Sequence, residues 1–350
     1  MNPPGIVTSI LNRGLLADNV EGSRVKIEGE NLPMTFETNF DVASLTKIIF
    51  TSNVFMLLVD REMIDLEDPV SRFLPDWKTS EKSGITISHL LSHRSGLEQW
   101  RPFYVTCKDE SEVLRKISKT PLKFSVNESR NYSDLGFITL GAIAKFIYGK
   151  NYDQILNNEI KTQILMPNTS FSKPVNISNV AASSNGDTYE LEMVTTGIPY
   201  TVQEKPDEFL GWRNRYLIGE INDGNSFHVF EGASGHAGIF SNASDILELC
   251  KVYLDSFIGE GVFKSSTLRK FLQPGLDQMQ GLGFRNWKIK TETGSKIIYG
   301  HTGFTGTAFG FIPEDDFAAV MLTNRLHAPG PAVKTEDLWL PFLENSLTKR

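Results

Sequence analysis

One long apolar segment, residues 43–61, constrains the fold of this chain more than any other feature. Apolar side chains lie on most sides of a helix drawn through it, and such a helix belongs in the interior of a protein. Residues 24–42, directly before it, carry short stretches in which apolar residues alternate, as in strands. The sequence therefore predicts an extended segment that leads into a buried helix, with fixed geometry at the junction.

The junction carries the pattern Ser44-Leu-Thr-Lys47. A serine hydroxyl is a poor nucleophile until a neighbouring group takes its proton, and residues i and i+3 of a helix share a face. A free N–H at the helix start can also stabilise an oxyanion. The same spacing recurs at Ser23–Lys26, Ser170–Lys173 and Ser346–Lys349, but in polar or terminal surroundings. Ser44 is therefore the candidate nucleophile.

Helices and strands are segregated along the rest of the chain. Residues 168–235 are rich in Asn, Ser, Gly and Pro and predict long loops with short elements. The final third predicts consecutive antiparallel strands. The predicted helices are 86–91, 111–118, 133–148 and 244–257, the strands 282–290, 296–300, 308–312 and 317–323, and the turns 292–295 and 313–316. Strands at both ends with helices between them indicate an α+β fold.

Composition excludes several classes of function. The net charge is −7 and no long Lys/Arg run occurs, which argues against nucleic acid or an anionic membrane as partner. Two distant cysteines, Cys107 and Cys250, favour buried thiols over a disulfide framework or a metal cage. No basic leader and no apolar run of ~18 residues is evident, so we expect a cytoplasmic protein without membrane, metal or cofactor. The oligomeric state stays open.

Six segments, taken together and in order, resemble the serine β-lactamase and penicillin-binding-protein-like family, in particular class C β-lactamases and the esterases similar to them. The resemblance covers most of residues 33–325. It implies an antiparallel sheet flanked by helices, with residues 1–60 and 240–350 in a sheet domain, residues 61–239 in a mainly helical inserted subdomain, and the active site between them. The matching segments are Phe40–Lys47, Leu66–Trp77, Ile85–Leu97, Tyr132–Phe137, Gly235–Ser241 and Gly300–Gly303.

The resemblance assigns roles residue by residue. Ser44 is similar to the family's nucleophile, Lys47 to its lysine partner and Tyr132 to the tyrosine that shuttles the proton. A phenol has an ordinary pKa of ~10, and a cation beside it would lower that value. By position, the backbone N–H groups of Ser44 and Phe304 correspond to the oxyanion hole. These roles imply an acyl-enzyme that water then hydrolyses.

Two departures from the family pattern bear on substrate. Where many β-lactamases have Lys-Thr-Gly, this chain has His301-Thr302-Gly303; a mostly neutral histidine is a weaker anchor for a substrate carboxylate. Asp134 replaces the usual asparagine, and a carboxylate accepts hydrogen bonds but cannot donate one; it would also keep Lys47 charged. Both changes point to small neutral esters, hence to a carboxylesterase. The resemblance adds His301 to the catalytic residues and gives Asp134, Thr302, Gly303 and His236 as substrate-binding residues.

Other functions stay open at this stage. The same site would suit a class C-like β-lactamase, a D-amino-acid peptidase or amidase, an acyltransferase, or a catalytically silent penicillin-binding-type sensor; each takes a small ester, lactam or amide. An α/β-hydrolase elbow is nearly present around Ser234, but its last glycine and the preceding apolar strand are missing. His89 and His93 have zinc-pair spacing but lack the glutamate and a third ligand.

Overall fold

The computed structural model describes residues 2–78, 81–291 and 294–348. Residues 292 and 293 of the predicted turn, and the lysine of the Ser346–Lys349 pattern, lie outside them. The strands are β1 (Gly5–Asn12), β2 (Leu15–Ile27), β3 (Glu30–Pro33), β4 (Phe40–Asp41), β5 (Ser170–Phe171), β6 (Ala182–Asn185), β7 (Tyr216–Ile218), β8 (Ile239–Ser241), β9 (Arg285–Thr291), β10 (Gly294–Thr302), β11 (Thr307–Ile312) and β12 (Phe317–Thr323).

Helices occupy most of the region between the two groups of long strands. The α-helices are α1 (Asn53–Asp60), α2 (Ile87–Leu91), α3 (Glu110–Lys119), α4 (Asp134–Tyr148), α5 (Tyr152–Ile155), α6 (Thr188–Thr196), α7 (Gly224–His228), α8 (Ala243–Ile258), α9 (Ser265–Leu272) and α10 (Thr335–Thr348). Short 3₁₀ turns lie at Ala43–Leu45, Val70–Arg72, Pro75–Trp77, Phe103–Val105, Pro206–Glu208, Pro313–Asp315 and Arg325–His327, and π-helical turns at Lys47–Ser52 and Leu156–Ile160.

The main sheet joins the two ends of the chain. Its strands run in the order β3-β2-β1-β12-β11-β10-β9, and every neighbouring pair is antiparallel. The predicted α+β class is therefore confirmed. The sequence pattern does not predict β1, which pairs with β12 in the register Val7↔Leu322, nor the helices α9 and α10. Helix α10 covers one face of the sheet by packing Trp339 and Leu343 against Trp287 and Ile298.

The apolar segment forms the core helix, Ala43–Asp60, which runs without a break from the 3₁₀ turn through the π turn into α1. Contrary to expectation, it is long and apolar enough to cross a membrane by length and composition alone; however, 83% of this span is buried inside the protein. It packs against α4 and α9, and its Asn53 accepts a 2.6 Å hydrogen bond from Tyr253 of α8. Burial on every side explains its composition.

A second, three-stranded sheet places the functional segments together. Strand β8 lies between β4 and β5, and Phe40↔Ser241 and Asp41↔Phe240 are in register. Ser44 follows β4 by three residues, and the Gly235–Ser241 segment enters β8. The two segments, far apart in sequence, therefore meet at the start of the core helix. The domain boundaries at residues 60 and 240 remain a prediction.

Candidate active site

A strained and well-anchored turn presents Ser44. Ala43 has φ of +47°, a left-handed conformation that is costly for a residue with a Cβ and is typical of functional sites. Its N–H donates a 2.8 Å hydrogen bond to Asp41 Oδ1, and the Asp41 carbonyl accepts a 2.7 Å bond from Thr305 Oγ1. Burial raises the pKa of the Asp41 carboxyl to about 6. The turn is thus tied to the loop between β10 and β11.

The Lys47 ammonium is fully buried and surrounded by oxygen atoms of the site. Its Nζ donates to Ser44 Oγ at 2.9 Å and to the His236 carbonyl at 3.1 Å, and lies 2.8 Å from Asp134 Oδ1. The Asp134 contact is close enough for an ion pair but is not aligned as a hydrogen bond. Burial works against the charge, yet Asp134 and Tyr132 outweigh it, so the pKa of Lys47 is raised. As expected from the sequence, Asp134 keeps Lys47 charged.

Tyr132 is the third member of the candidate catalytic group, after Ser44 and Lys47, and its pKa differs from the value predicted from the sequence. Its ring centroid is 5.0 Å from Lys47 Nζ. Burial raises the pKa of the phenol most; the charge of Lys47 and hydrogen bonding from Lys47 and Ser44 lower it, while Asp134 raises it again. The net direction is upward, so the expectation that Lys47 brings the pKa below its ordinary value is wrong for the free protein. Desolvation of the phenolate is the reason.

His301 and Thr302 are the last residues of β10, Gly303 follows them, and the segment lies beside Tyr132. The rings of His301 and Tyr132 are 6.0 Å apart. His301 is 1% exposed, its Nδ1 bonds the Thr302 carbonyl at 2.7 Å, and its buried Nε2 has no partner in the described part of the chain. Burial, with the charges of nearby cations, lowers its pKa well below the ordinary value, so the imidazole is neutral, as expected. A Cβ on Gly303 would lie 2.5 Å from the Val42 carbonyl, which only glycine avoids.

Phe304 lies in the loop after β10, and its carbonyl is bound by Arg325. The Arg325 guanidinium bonds the Phe304 carbonyl, lies 5.1 Å from the Phe304 ring and donates a 2.9 Å bond to the Val333 carbonyl. Within residues 2–78, 81–291 and 294–348, neither the Ser44 nor the Phe304 N–H has an acceptor. Both are therefore available to an oxyanion, as the resemblance implies.

One prediction of a substrate-binding residue is wrong. The imidazole of His236 is 1% exposed, with Nδ1 2.8 Å from Ser234 Oγ and Nε2 3.1 Å from Asp223 Oδ1. Because both ring nitrogens are engaged inside the protein, the side chain cannot contact a substrate; only its carbonyl reaches the site, through Lys47. Ser234 is fully buried, which also excludes it as an exposed elbow nucleophile.

Sequence reasoning missed three residues near the site. Arg285 Nη1 donates to Thr302 Oγ1 at 2.9 Å and to Glu336 Oε1 at 2.7 Å. Tyr200 lies close enough to the site for the charges of Asp134, Tyr132 and Lys47 to affect its pKa. Burial is the main cause of that shift and raises the pKa of Tyr200 to about 12. No local sequence signal marks them, because β9, α10 and the loop after α6 converge only in three dimensions.

The remaining sequence candidates have structural roles. His93 Nδ1 accepts a 3.0 Å bond from the Ser133 N–H, and His89 Nδ1 lies 3.1 Å from Thr86 Oγ1. In the described part of the chain, no group of three or more His, Cys, Asp or Glu side chains could hold a metal ion. The two cysteines are free and buried, as predicted.

Comparisons with known proteins bear on the family and the fold of the chain. The family model described as Beta-lactamase matches residues 6–342. The chain is 28% identical to the N-acetylmuramyl-L-alanine amidase of Bacillus subtilis (strain 168), over 93% of this chain and 78% of that protein. It is 29% identical to a putative D-alanyl-D-alanine carboxypeptidase of Escherichia coli (strain K12), over 84% and 71%. A class C beta lactamase from Rhodobacter sphaeroides superimposes with a TM-score of 0.70 at 17% identity, over 93% and 91%.

Proposed function

Since this chain belongs to the Beta-lactamase family and is a serine hydrolase, we propose that it cleaves small neutral carboxylic esters through an acyl-enzyme on Ser44. The observation that carries the proposal is the 2.9 Å contact between Lys47 Nζ and Ser44 Oγ beside the Tyr132 phenol. A hydroxyl, an amine and a phenol from distant segments meet there, which is the arrangement an activated serine needs.

The reaction proceeds in two steps. Ser44 Oγ attacks the carbonyl carbon while its proton passes to the Lys47–Tyr132 pair, and the N–H groups of Ser44 and Phe304 stabilise the negative oxygen. The C–O bond to the leaving group then breaks, and the leaving alkoxide takes that proton back from the pair. Water repeats the sequence on the acyl-enzyme and releases the acid. Because Lys47 is charged and Tyr132 is neutral in the free protein, the pair must first lose one proton.

Charge balance around the site favours a neutral substrate. Three cations act on His301: Lys47, Arg285 and Arg130. Each has a carboxylate partner: Asp134 at 2.8 Å, Glu336 at 2.7 Å and Asp277 at 2.5 Å, respectively. A substrate carboxylate would therefore have to compete with a carboxylate of the protein for every one of them. An uncharged ester meets no such competition.

A second candidate is an amidase or a D-amino-acid peptidase. The contact of Arg285 with Thr302 Oγ1, 2.9 Å, would place a cation beside the predicted substrate-binding threonine. Release of the Glu336 side chain, which is 39% exposed, would free that cation for a terminal carboxylate. The names of two relatives, an amidase and a putative carboxypeptidase, favour this chemistry.

Parallel assays on p-nitrophenyl butyrate, nitrocefin and a D-amino-acid amide separate these functions. We expect the ester to be turned over fastest, and Ser44→Ala to abolish turnover of all three with an unchanged circular dichroism spectrum. Ser346→Ala is the matched control, because Ser346 begins the same tetrapeptide Ser-Leu-Thr-Lys and its hydroxyl bonds the Phe342 carbonyl of its own helix. Full activity in Ser44→Ala would remove Ser44 from the mechanism; preference for the amide would favour the second candidate.

A further inference from the structure

A hydrogen-bonded chain of three side chains, Asp223, His236 and Ser234, lies behind Lys47. His236 Nε2 is 3.1 Å from Asp223 Oδ1, and its Nδ1 is 2.8 Å from Ser234 Oγ. The ring of His236 is 1% exposed and Ser234 is fully buried, so no substrate reaches either of them. Polar side chains are buried at a cost unless they are paired, and apolar ones would pack here without it. The chain is therefore best explained by what it holds in place, the backbone of residue 236.

Asp223 is the fixed end of this chain. It is the N-cap residue of α7, and its Oδ1 accepts a 2.7 Å hydrogen bond from the Ser226 N–H. Burial works against its charge, but His236, the Ser226 N–H and Lys47 outweigh burial and lower the pKa of Asp223 to about 2. An ionised carboxylate only accepts hydrogen bonds, so His236 Nε2 must donate to it. The ring of His236 is thus anchored to the start of α7.

The backbone next to His236 is enclosed by the core helix and α4. The Gly235 carbonyl accepts a 2.6 Å hydrogen bond from Thr51 Oγ1 of the core helix. On the other side, a Cβ on Gly235 would lie 2.2 Å from the Phe137 carbonyl of α4, a distance that only glycine avoids. The carbonyl of His236, the next residue, is therefore fixed from both its main chain and its side chain.

This carbonyl is the atom through which the chain acts on the catalytic group. It accepts a 3.1 Å hydrogen bond from Lys47 Nζ, which lies 2.9 Å from Ser44 Oγ. A carbonyl oxygen cannot donate, so it takes an N–H group whether Lys47 is an ammonium or a neutral amine. In the neutral amine the lone pair of Nζ therefore cannot face this carbonyl and is left for the proton of Ser44.

We propose that His236 and Asp223 are positioning residues, which fix the backbone carbonyl that orients the Lys47 amine toward Ser44. The inference rests on the proposed function, because it concerns the activation of the same serine. Ser234 is the third member and holds the ring of His236 at Nδ1.

Replacing the ring tests the inference. His236→Phe keeps an aromatic ring but removes both polar contacts. The rate at which a fluorophosphonate modifies Ser44, measured by intact mass spectrometry and divided by the folded fraction, should fall about tenfold to a hundredfold, the effect of a small displacement of a catalytic group. For p-nitrophenyl butyrate, kcat should fall by a similar factor, with KM nearly unchanged. His236→Gln, which can still donate to Asp223, should recover most of the lost rate.

His228 offers a matched control in the same region. Its Nε2 lies 3.2 Å from Asp187 Oδ2, a second contact between a histidine and an aspartate of nearly equal length. Asp187 is paired with Arg213, at 2.6 Å, and does not lead to the catalytic lysine. His228→Phe should therefore leave the fluorophosphonate rate and the ester kinetics nearly unchanged.

Two results would overturn the inference. One is a reaction rate of His236→Phe equal to that of the unmodified protein. The other is an equal loss in His228→Phe, which would show that any damage to this region slows the reaction. If His236→Phe does not fold, Asp223→Ser takes its place, because serine can still cap α7 but is too short to reach the ring; an unchanged rate in that variant overturns the inference as well.

Failure of the proposed function gives a different result. An unmodified protein that reacts with the fluorophosphonate on Ser44 but does not hydrolyse the ester overturns the ester proposal alone, and the fluorophosphonate rates of the variants still decide the positioning role. An unmodified protein that does not react on Ser44 overturns both.

Discussion

Replacing Asp134 by asparagine is the sharpest test of how the site handles its protons. The Asp134 carboxylate raises the pKa of both Lys47 and Tyr132, although burial is the largest influence on each. Asparagine keeps the shape and removes the charge. Both pKa values should then fall, because burial alone disfavours the Lys47 ammonium and Tyr132 loses a neighbouring negative charge. The proton acceptor pair therefore forms at lower pH.

The magnitude follows from the geometry. Two unit charges 2.8 Å apart interact by about 6 kcal/mol at an effective dielectric constant of ~20, equivalent to about four pKa units. The asparagine oxygen retains part of this attraction, so the expected displacement is smaller. For p-nitrophenyl butyrate, kcat/KM should rise with pH as the pair loses its proton. In Asp134→Asn we expect this rise to occur at least about one pH unit lower than in the unmodified protein.

The assay measures kcat/KM of both proteins as a function of pH, between pH 5 and about 10.5. The upper limit lies near the ordinary pKa of a phenol. Each rate is divided by the fraction of protein that is folded at that pH. Normalisation matters because breaking a buried ion pair costs about 3–5 kcal/mol unless the lysine becomes neutral. Glu248→Gln is the control, since it removes the charge from an exposed ion pair, 2.9 Å from Lys251. If kcat/KM of Asp134→Asn rises at the same pH as in the unmodified protein, or at a higher pH, the proposed proton path is refuted.

Three further predictions concern other groups. His301→Lys should raise turnover of nitrocefin relative to the ester; an unchanged ratio would contradict the anion-anchor argument. Burial raises the pKa of Glu190 to about 8, with Asp223 adding to the effect, so stability is greatest below its ordinary pKa and is lost as pH rises through 8. Glu190→Gln should flatten that loss and raise the melting temperature at alkaline pH by about 1.4 °C per kcal/mol regained, the value for a chain of 350 residues; parallel melting curves would contradict it. Arg325→Met should lower kcat about tenfold with KM nearly unchanged, since the Phe304 N–H loses its anchor; a change confined to KM would count against this role.

Motifs that depend on local geometry were readable from the sequence. Ser44 and Lys47 share a face because they are one helical turn apart, and the apolar run after them required a buried helix. The resemblance supplied Tyr132 and the position of Phe304. The helices α3, α4 and α8 and the strands β9 to β12 were predicted within a few residues, because each has a clear period and a terminating turn.

The tertiary structure alone decided the rest. Strand β1 pairs with β2 along one edge and with β12 along the other, and this pairing, rather than an alternating apolar pattern, stabilises it as a strand. The pKa of Tyr132 follows from desolvation and from the charge of Asp134, neither of which its sequence neighbours reveal. His236 matches a substrate-binding position in sequence, yet its ring is enclosed by Ser234 and Asp223. Local spacing determines which side chains share a face, but burial and long-range charge determine which of them can act.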